Sequence, residues 1–180
     1  MKNTHILLSA FLFLMLCSFG LKPISSYSSE TKYWMSFEEM QEAQEKEKRK
    51  VIVDVYTDWC GWCKKMDKTT FEHPVIQKYM NKKYYFVKFN AESKQSVKYK
   101  GKTYDNLGRY HGLSTELMNG KMAFPTSIYL NENLEQITPP IASYLDAKQF
   151  EVIIHYLAEE KYKSISFEDY QKTFKSAIVE

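Results

Sequence analysis

Residues 51–64 read VIVDVYTDWCGWCK. Val51–Tyr56 is a short apolar, β-branched run interrupted by one acid, Asp54, and it predicts a buried central strand. The motif Trp59-Cys60-Gly61-Trp62-Cys63 follows at once, and the pattern after it predicts a helix. This stretch therefore predicts a strand, a turn that holds two cysteines, and a helix in direct succession.

Two cysteines at this spacing are best explained by reactivity. A disulfide between Cys60 and Cys63 closes so small a loop that it removes little chain entropy, which makes it a poor structural crosslink. A thiolate attacks a disulfide, and a helix start lowers a thiol pKa through its partial positive charge and free N–H donors. Cys63 follows on the same helix face, at a separation compatible with a disulfide. We predict that Cys60 is the exposed nucleophile and Cys63 the buried thiol that resolves the mixed disulfide.

The acid within the strand also calls for an explanation, because a carboxyl group costs free energy to bury. Asp54 precedes Cys60 by a few residues, so it is placed to lie beneath the motif and to accept the proton of Cys63, directly or through water. Desolvation should raise its pKa, which suits a general base near neutral pH. The alternative is that Asp54 caps or turns the chain at a strand edge.

The same residues resemble the thioredoxin superfamily. Residues 53–64 match its strand, buried acid and active-site turn, and Phe124-Pro125-Thr126 matches its second landmark, a proline before a strand. Residues 86–90 match the intervening strand, with Lys88 where thioredoxins keep a lysine near the buried acid. The landmarks span about residues 50–160. The resemblance implies an α/β, thioredoxin-like fold with a central mixed sheet flanked by helices.

The resemblance also implies substrate-binding roles around the cysteines. In the family, the peptide bond before the proline is cis and faces the cysteines, and the backbone of the preceding residue pairs with the substrate chain. The two tryptophans of the motif flank the nucleophile and offer an apolar docking surface for unfolded or partner segments; core packing is the alternative for both. The predicted substrate-binding set is Trp59, Gly61, Trp62, Phe124 and Pro125.

A narrower resemblance is to exported thiol:disulfide interchange proteins of bacterial envelopes, some of which are cytochrome c biogenesis proteins. It rests on an export signal, the Gly61-Trp62 dipeptide and a long insert over about residues 91–121. Simple thioredoxins carry Gly-Pro between the cysteines, so the direction of electron flow stays open. We expect a reductase of disulfide- or thiol-containing exported proteins, supplied with electrons by a membrane thiol donor; a disulfide-donating oxidase is the alternative. Besides the Cys60–Cys63 disulfide, no cofactor is expected.

Residues 1–20 predict a signal peptide, and hence an exported, periplasmic protein. A positive start precedes the apolar run Ile6–Leu16, which is too short to span a bilayer as a helix, and small residues suit a cut after Gly20. The alternative is a short helix that stays on the protein. The stretch Leu14-Met15-Leu16-Cys17 faintly resembles a lipoprotein processing site, and lipidation of Cys17 would tether the protein to a membrane. Residues 21–35 are Ser-rich and predict a tether.

Residues 36–180 predict one thioredoxin-like domain, a small α/β sandwich with the insert before the cis-proline strand. Capping signals at Ser36 and Asp146 predict helices that run to about Lys48 and Glu160. No elements are assigned within the insert. The strands predicted after the motif are Tyr84–Phe89, Thr126–Leu130 and Leu134–Thr138, the last paired back on the second.

Other function classes fit the sequence less well. The net charge of +3 is too small and too scattered for nucleic acid binding. Cys-x-x-Cys also binds zinc, but a structural site needs two further ligands, and His73, His111 and His155 are single and scattered, so no metal is expected. A redox-inert adaptor or chaperone is the remaining alternative, against which the intact cysteine pair argues. No coiled coil or dimerisation stripe is present, and we expect a monomer.

Overall fold

The structure, a computed structural model, describes residues 34–179. The predicted signal peptide, Cys17 and the tether up to residue 33 lie outside the described residues. The helices are α1 (Phe37–Lys46), α2 (Gly61–Met66), α3 (Pro74–Lys83), α4 (Gly112–Leu117), α5 (Ala147–Ala158) and α6 (Phe167–Thr173). The strands are β1 (Lys50–Tyr56), β2 (Tyr84–Asn90), β3 (Val97–Tyr99), β4 (Lys102–Tyr104) and β5 (Thr126–Leu130). No helix within this described part is long and apolar enough to cross a membrane.

The central sheet has the strand order β2-β1-β5. Strand β2 runs parallel to β1 and β5 runs antiparallel to it, so the sheet is mixed, as predicted. Lys88, Asp54 and Ser127 are directly paired across the three strands, and paired residues point to the same face of a sheet. One polar row therefore crosses this face of the sheet.

Alternation along β1 separates two apolar cores. Val51, Val53 and Val55 face a core shared with α1 and the insert. Ile52 faces the other core, which contains Met66 of α2 and apolar residues of α3 and α5. Asp54 follows Ile52 in the alternation and therefore points to the face that α2 covers. Burying each of these aliphatic side chains stabilises the fold by about 1.5–3 kcal/mol. The strand that leads into the cysteine motif is therefore held firmly in the core.

The local signals predicted the helix starts correctly. Ser36 opens α1 and Asp146 opens α5, each with a complete capping box. His73 caps α3, and Pro74 occupies its first turn, where the missing N–H costs nothing. Between α2 and α3 the chain continues through a π-helical turn over Asp67–Phe71.

Residues Leu134–Thr138 pair back on β5 as predicted, but through an isolated bridge and not as a strand. This segment makes a single bridge to β5, between Gln136 and Leu130. Leu134 has a positive φ of 61°, and the prolines at 139 and 140 have no N–H to donate. The pairing with β5 is therefore interrupted, and it resumes at a second isolated bridge between Ile141 and Ser127.

The insert folds into a β3–β4 hairpin followed by α4. Gly101, at φ +79°, makes the hairpin turn, a conformation that a side chain would strain. His111 is fully buried as the N-cap of α4; its Nδ1 accepts a hydrogen bond from the backbone N of Leu113, and its Nε2 lies 3.0 Å from the carbonyl oxygen of Gln95. The insert thus packs onto the core on the α1 side of the sheet.

Candidate active site

Cys60 lies at the N-cap of α2, and Cys63 lies in its first turn. The two residues form a disulfide, with Cα atoms 5.3 Å apart. The Cys60 Sγ also accepts a hydrogen bond from the backbone N of Cys63, at 3.1 Å. A helix N-terminus that aims an N–H at a sulfur favours negative charge there, so the geometry suits Cys60 to react as a thiolate.

Cys60 is more buried than predicted. Its exposed fraction is 5%, against 2% for Cys63. The disulfide holds the Cys60 sulfur against the buried Cys63, so both sulfurs lie below the surface. The prediction of an exposed nucleophile is therefore wrong for the disulfide-bonded protein, although Cys60 remains the more accessible of the two.

Both tryptophans of the motif are surface residues, with Trp59 59% exposed and Trp62 57% exposed. The Trp59 indole N–H donates to the Glu92 carboxylate at 3.0 Å, and its ring meets Phe124 edge-on, with centroids 5.9 Å apart. The Trp62 ring packs against Tyr144, with centroids 5.3 Å apart. Core packing, the alternative for these residues, is thus wrong, and each ring is held at the surface by a different part of the chain.

The proline landmark lies beside the motif. The Phe124–Pro125 peptide bond is cis, as the resemblance implies. Thr126 pairs with Val55 in the register of β5 on β1, which brings Pro125 to the end of β1 from which the motif emerges. Gly61 is exposed in the first turn of α2, with open space where a side chain would stand. The structure therefore brings all five residues of the predicted substrate-binding set close to the cysteines.

Asp54 is buried within the central strand, with 1% of its surface exposed. Among the described residues, no hydrogen-bond partner reaches either carboxyl oxygen, and the Lys88 Nζ lies 3.9 Å from Oδ2. Burial raises the pKa of Asp54 to about 7; the Lys88 charge opposes that rise and the Asp67 charge adds to it. A carboxyl with this pKa exchanges its proton near neutral pH, as a general base must. The alternative of a cap at a strand edge is wrong.

Asp67 is a site residue that sequence analysis missed. It lies in the π-helical turn after α2 and holds the Lys88 ammonium in a close ion pair. Lys88 therefore has its short contact with Asp67 and stays beyond hydrogen-bond distance of Asp54. Helical spacing could have identified Asp67 from the sequence. Asp67 follows Cys63 by one helical turn, so the two side chains lie on the same face of the helix.

Replacing Asp67 with asparagine is expected to lower the pKa of Asp54 by about one unit. The change removes a negative charge that raises this pKa, and it releases the Lys88 ammonium toward the Asp54 carboxylate. The pKa can be measured by carbon NMR of the carboxyl groups in the disulfide-bonded protein, where neither thiol of the motif titrates. Asp58→Asn, at an exposed acid of the same loop as the motif, is the control. An unchanged or higher Asp54 pKa in Asp67→Asn would contradict the expectation.

The three histidines that the zinc alternative considered lie apart. His73 caps α3 and His111 caps α4. His155, on α5, stacks on Tyr79 with ring centroids 3.6 Å apart. Within residues 34–179, no group of three or more His, Cys, Asp or Glu side chains is arranged to hold a metal ion.

Comparisons with known proteins agree with this architecture. A family model described as a thioredoxin-like domain matches residues 36–158. A solved thioredoxin-fold protein from Helicobacter pylori is similar, with 12% identity, a TM-score of 0.56 and coverage of 78% of this chain and 87% of that one. A solved thioredoxin from Thermus thermophilus is also similar, with 12% identity, a TM-score of 0.52 and coverage of 69% and 85%. At this identity the two structures bear on the fold alone.

One curated relative is similar in sequence. It is the thiol:disulfide interchange protein DsbD of Actinobacillus pleuropneumoniae serotype 5b (strain L20), 27% identical over 135 residues. The match covers 70% of this chain but only 20% of the relative, so the chain spans about a fifth of the length of the protein that it matches.

Proposed function

The chain belongs to the family of thioredoxin-like domains, and from this premise we propose that it is a thiol–disulfide oxidoreductase that reduces disulfides in exported proteins. The observation that carries the proposal is the Cys60–Cys63 disulfide at the start of α2, with the Asp54 carboxyl buried on the face beneath that helix. The catalytic roles of the three residues are part of the proposal.

In the reductive direction the pair begins as two thiols. The Cys60 thiolate attacks one sulfur of a substrate disulfide; a Cys60–substrate bond forms, and the other substrate sulfur leaves as a thiolate that takes up a proton. Cys63 then gives its proton to Asp54 and attacks the Cys60 sulfur. The Cys60–Cys63 bond forms and the second substrate sulfur is released. Two electrons pass to the substrate, so a thiol donor must restore the dithiol, and we propose a membrane thiol protein for this role.

Local charge supports the reducing direction. Strongly oxidising pairs owe their potential to a stabilised reduced form, in which the attacking cysteine is a thiolate. Here two carboxyl groups, Asp54 and Asp67, lie on the side of α2 that faces the sheet. Negative charge on either group opposes a thiolate nearby. The positive charge of Lys88 offsets this effect only in part, because its single ammonium group lies near both carboxyl groups.

The surface around the cysteines supports a protein substrate. Trp59 and Trp62 present exposed rings, and aromatic side chains supply contact area at little cost in conformational entropy. The Phe124 backbone beside Pro125 is proposed to pair with an extended substrate segment. Such a surface recognises apolar chain next to a cysteine, which unfolded or misoxidised proteins expose.

The proposed location is the bacterial envelope. It rests on residues 1–20, whose apolar run and cleavage signal indicate export, and on Cys17 if that residue is lipidated. Exported thiols meet an oxidising compartment and drift to disulfides, which a dedicated reductase would counter. Apocytochrome c thiols belong to the same chemical class of substrate.

The reduction potential of the Cys60–Cys63 pair tests the proposed direction. Equilibrating the protein in defined glutathione or dithiothreitol buffers should give a value near about −270 mV, as in thioredoxin. The fraction of disulfide can be followed by mass after alkylation of the free thiols. A value near about −120 mV would instead make the protein a disulfide donor. Absence of a reversible two-electron transition would favour the redox-inert adaptor.

A further inference from the structure

Two buried hydroxyl groups on β5, near Asp54, have no assigned role. Ser127 on β5 is the direct partner of Asp54 in the sheet register, and Tyr129 follows two residues later on the same face. Both are fully buried. Within the described residues, neither hydroxyl oxygen has a hydrogen-bond partner, and neither does either Asp54 oxygen.

Burying these polar atoms without hydrogen bonds lowers the stability of the folded protein. A buried polar group left without a hydrogen bond costs about 1–3 kcal/mol, and apolar side chains of similar shape would avoid that cost. Four unpartnered polar atoms here come from three adjacent positions, two on β5 and one on β1. A neutral carboxyl tolerates this arrangement, whereas a charged carboxylate demands hydrogen-bond donors.

The sheet register gives Ser127 the reach to be such a donor. Directly opposite residues in an antiparallel pair have Cβ atoms about 4.5–5.5 Å apart, so rotation of the two side chains can bring the Ser127 Oγ to an Asp54 oxygen. Burial raises the pKa of the Tyr129 phenol, Ser127 lowers it and the Asp54 charge raises it, so the Tyr129 hydroxyl lies within electrostatic reach of both other groups. The other titratable groups that face this carboxyl are Lys88 on β2, Asp67 and Cys63 around α2, and Tyr56 on β1.

We propose that Ser127, supported by Tyr129, donates the hydrogen bond that stabilises the charged form of Asp54 and is a positioning residue for the proton step. The proposal rests on the proposed function, because it concerns the same base. When Cys63 transfers its proton, Asp54 becomes neutral and the Ser127 hydroxyl is released. When Asp54 loses the proton again, Ser127 turns to donate to the new negative charge. Ser127 keeps its own proton throughout, so only the Cys63 proton moves.

The test is the pKa of Asp54 in the full-length disulfide-bonded protein, followed by carbon NMR of the carboxyl group. Ser127→Ala removes the donor, so we expect the pKa of Asp54 to rise by about one unit, and Tyr129→Phe should raise it by less. Ser127→Thr keeps the hydroxyl and should restore the lower value. In the dithiol protein, Ser127→Ala should slow resolution of a mixed disulfide by about fivefold at pH 7, with recovery at higher pH.

Two matched controls separate this role from a structural one. Ser114→Ala removes a buried serine hydroxyl that donates to the His111 carbonyl oxygen, and Tyr84→Phe removes a buried phenol that donates to the Ile154 carbonyl oxygen. Both should lower stability without moving the Asp54 pKa. If Ser127→Ala and Tyr129→Phe also leave that pKa unchanged, the proposal is overturned. The pKa of Asp54 does not depend on the direction of electron flow. A reduction potential that contradicts the proposed reductase would therefore leave this test valid.

Discussion

Replacing Cys60 with serine is expected to reduce disulfide reductase activity to the rate of the uncatalysed reaction, because the remaining thiol of the motif, Cys63, is buried more deeply. Replacing Cys63 with serine should have a different result. Cys60 can still attack, but the mixed disulfide has no resolving thiol, so a covalent complex with the substrate should accumulate stoichiometrically. Reduction of a model protein disulfide, together with non-reducing electrophoresis of the products, measures both effects.

Cys17 offers a matched control for these substitutions. In the unprocessed full-length chain, Cys17→Ser removes a thiol outside the motif, and it should leave the exchange reaction unchanged. Activity that persists after Cys60→Ser would refute the assignment of the nucleophile. A covalent complex trapped by Cys60→Ser rather than by Cys63→Ser would reverse the two roles.

Replacing Asp54 with asparagine is expected to stabilise the protein above neutral pH. The folded pKa of about 7 lies above the ordinary value of 3.8, so the carboxyl is neutral in both states below pH 3.8. As pH rises toward 7, the unfolded chain ionises first and the folded protein loses up to about 4 kcal/mol. The asparagine side chain cannot titrate, so denaturant unfolding of the variant from pH 4 to pH 9 should show a flatter stability curve. Asp58→Asn, at an exposed acid, should keep the wild-type curve.

The same substitution should slow the reaction while it stabilises the fold. Without a base near Cys63, resolution of the mixed disulfide is expected to slow by about a hundredfold at pH 7. Stopped-flow fluorescence of Trp59 and Trp62, the exposed rings beside the disulfide, can follow this step. A stability gain without a kinetic loss would leave Asp54 as a buried acid with no part in the proton transfer.

Much of the domain could be predicted because its signals are local. The apolar run of β1 and the capping residues Ser36 and Asp146 depend on neighbours within a few residues. The insert could not be assigned, because its strands are short and polar and α4 is capped by a buried histidine. The segment after β5 pairs back on it only at isolated bridges for a related reason, since the positive φ of Leu134 is not signalled by a leucine.

The residue order alone established the thioredoxin-like domain, the Cys60–Cys63 pair and a buried acid at Asp54, because strand, turn and helix there are contiguous in the chain. Only the folded chain determined how that acid is surrounded. Lys88, Asp67 and Ser127 come from three separate segments, and their charges and hydroxyls meet Asp54 only when β2 and β5 flank β1 under α2. The working pKa of a base depends on groups within a few ångströms of it, whatever their distance along the sequence.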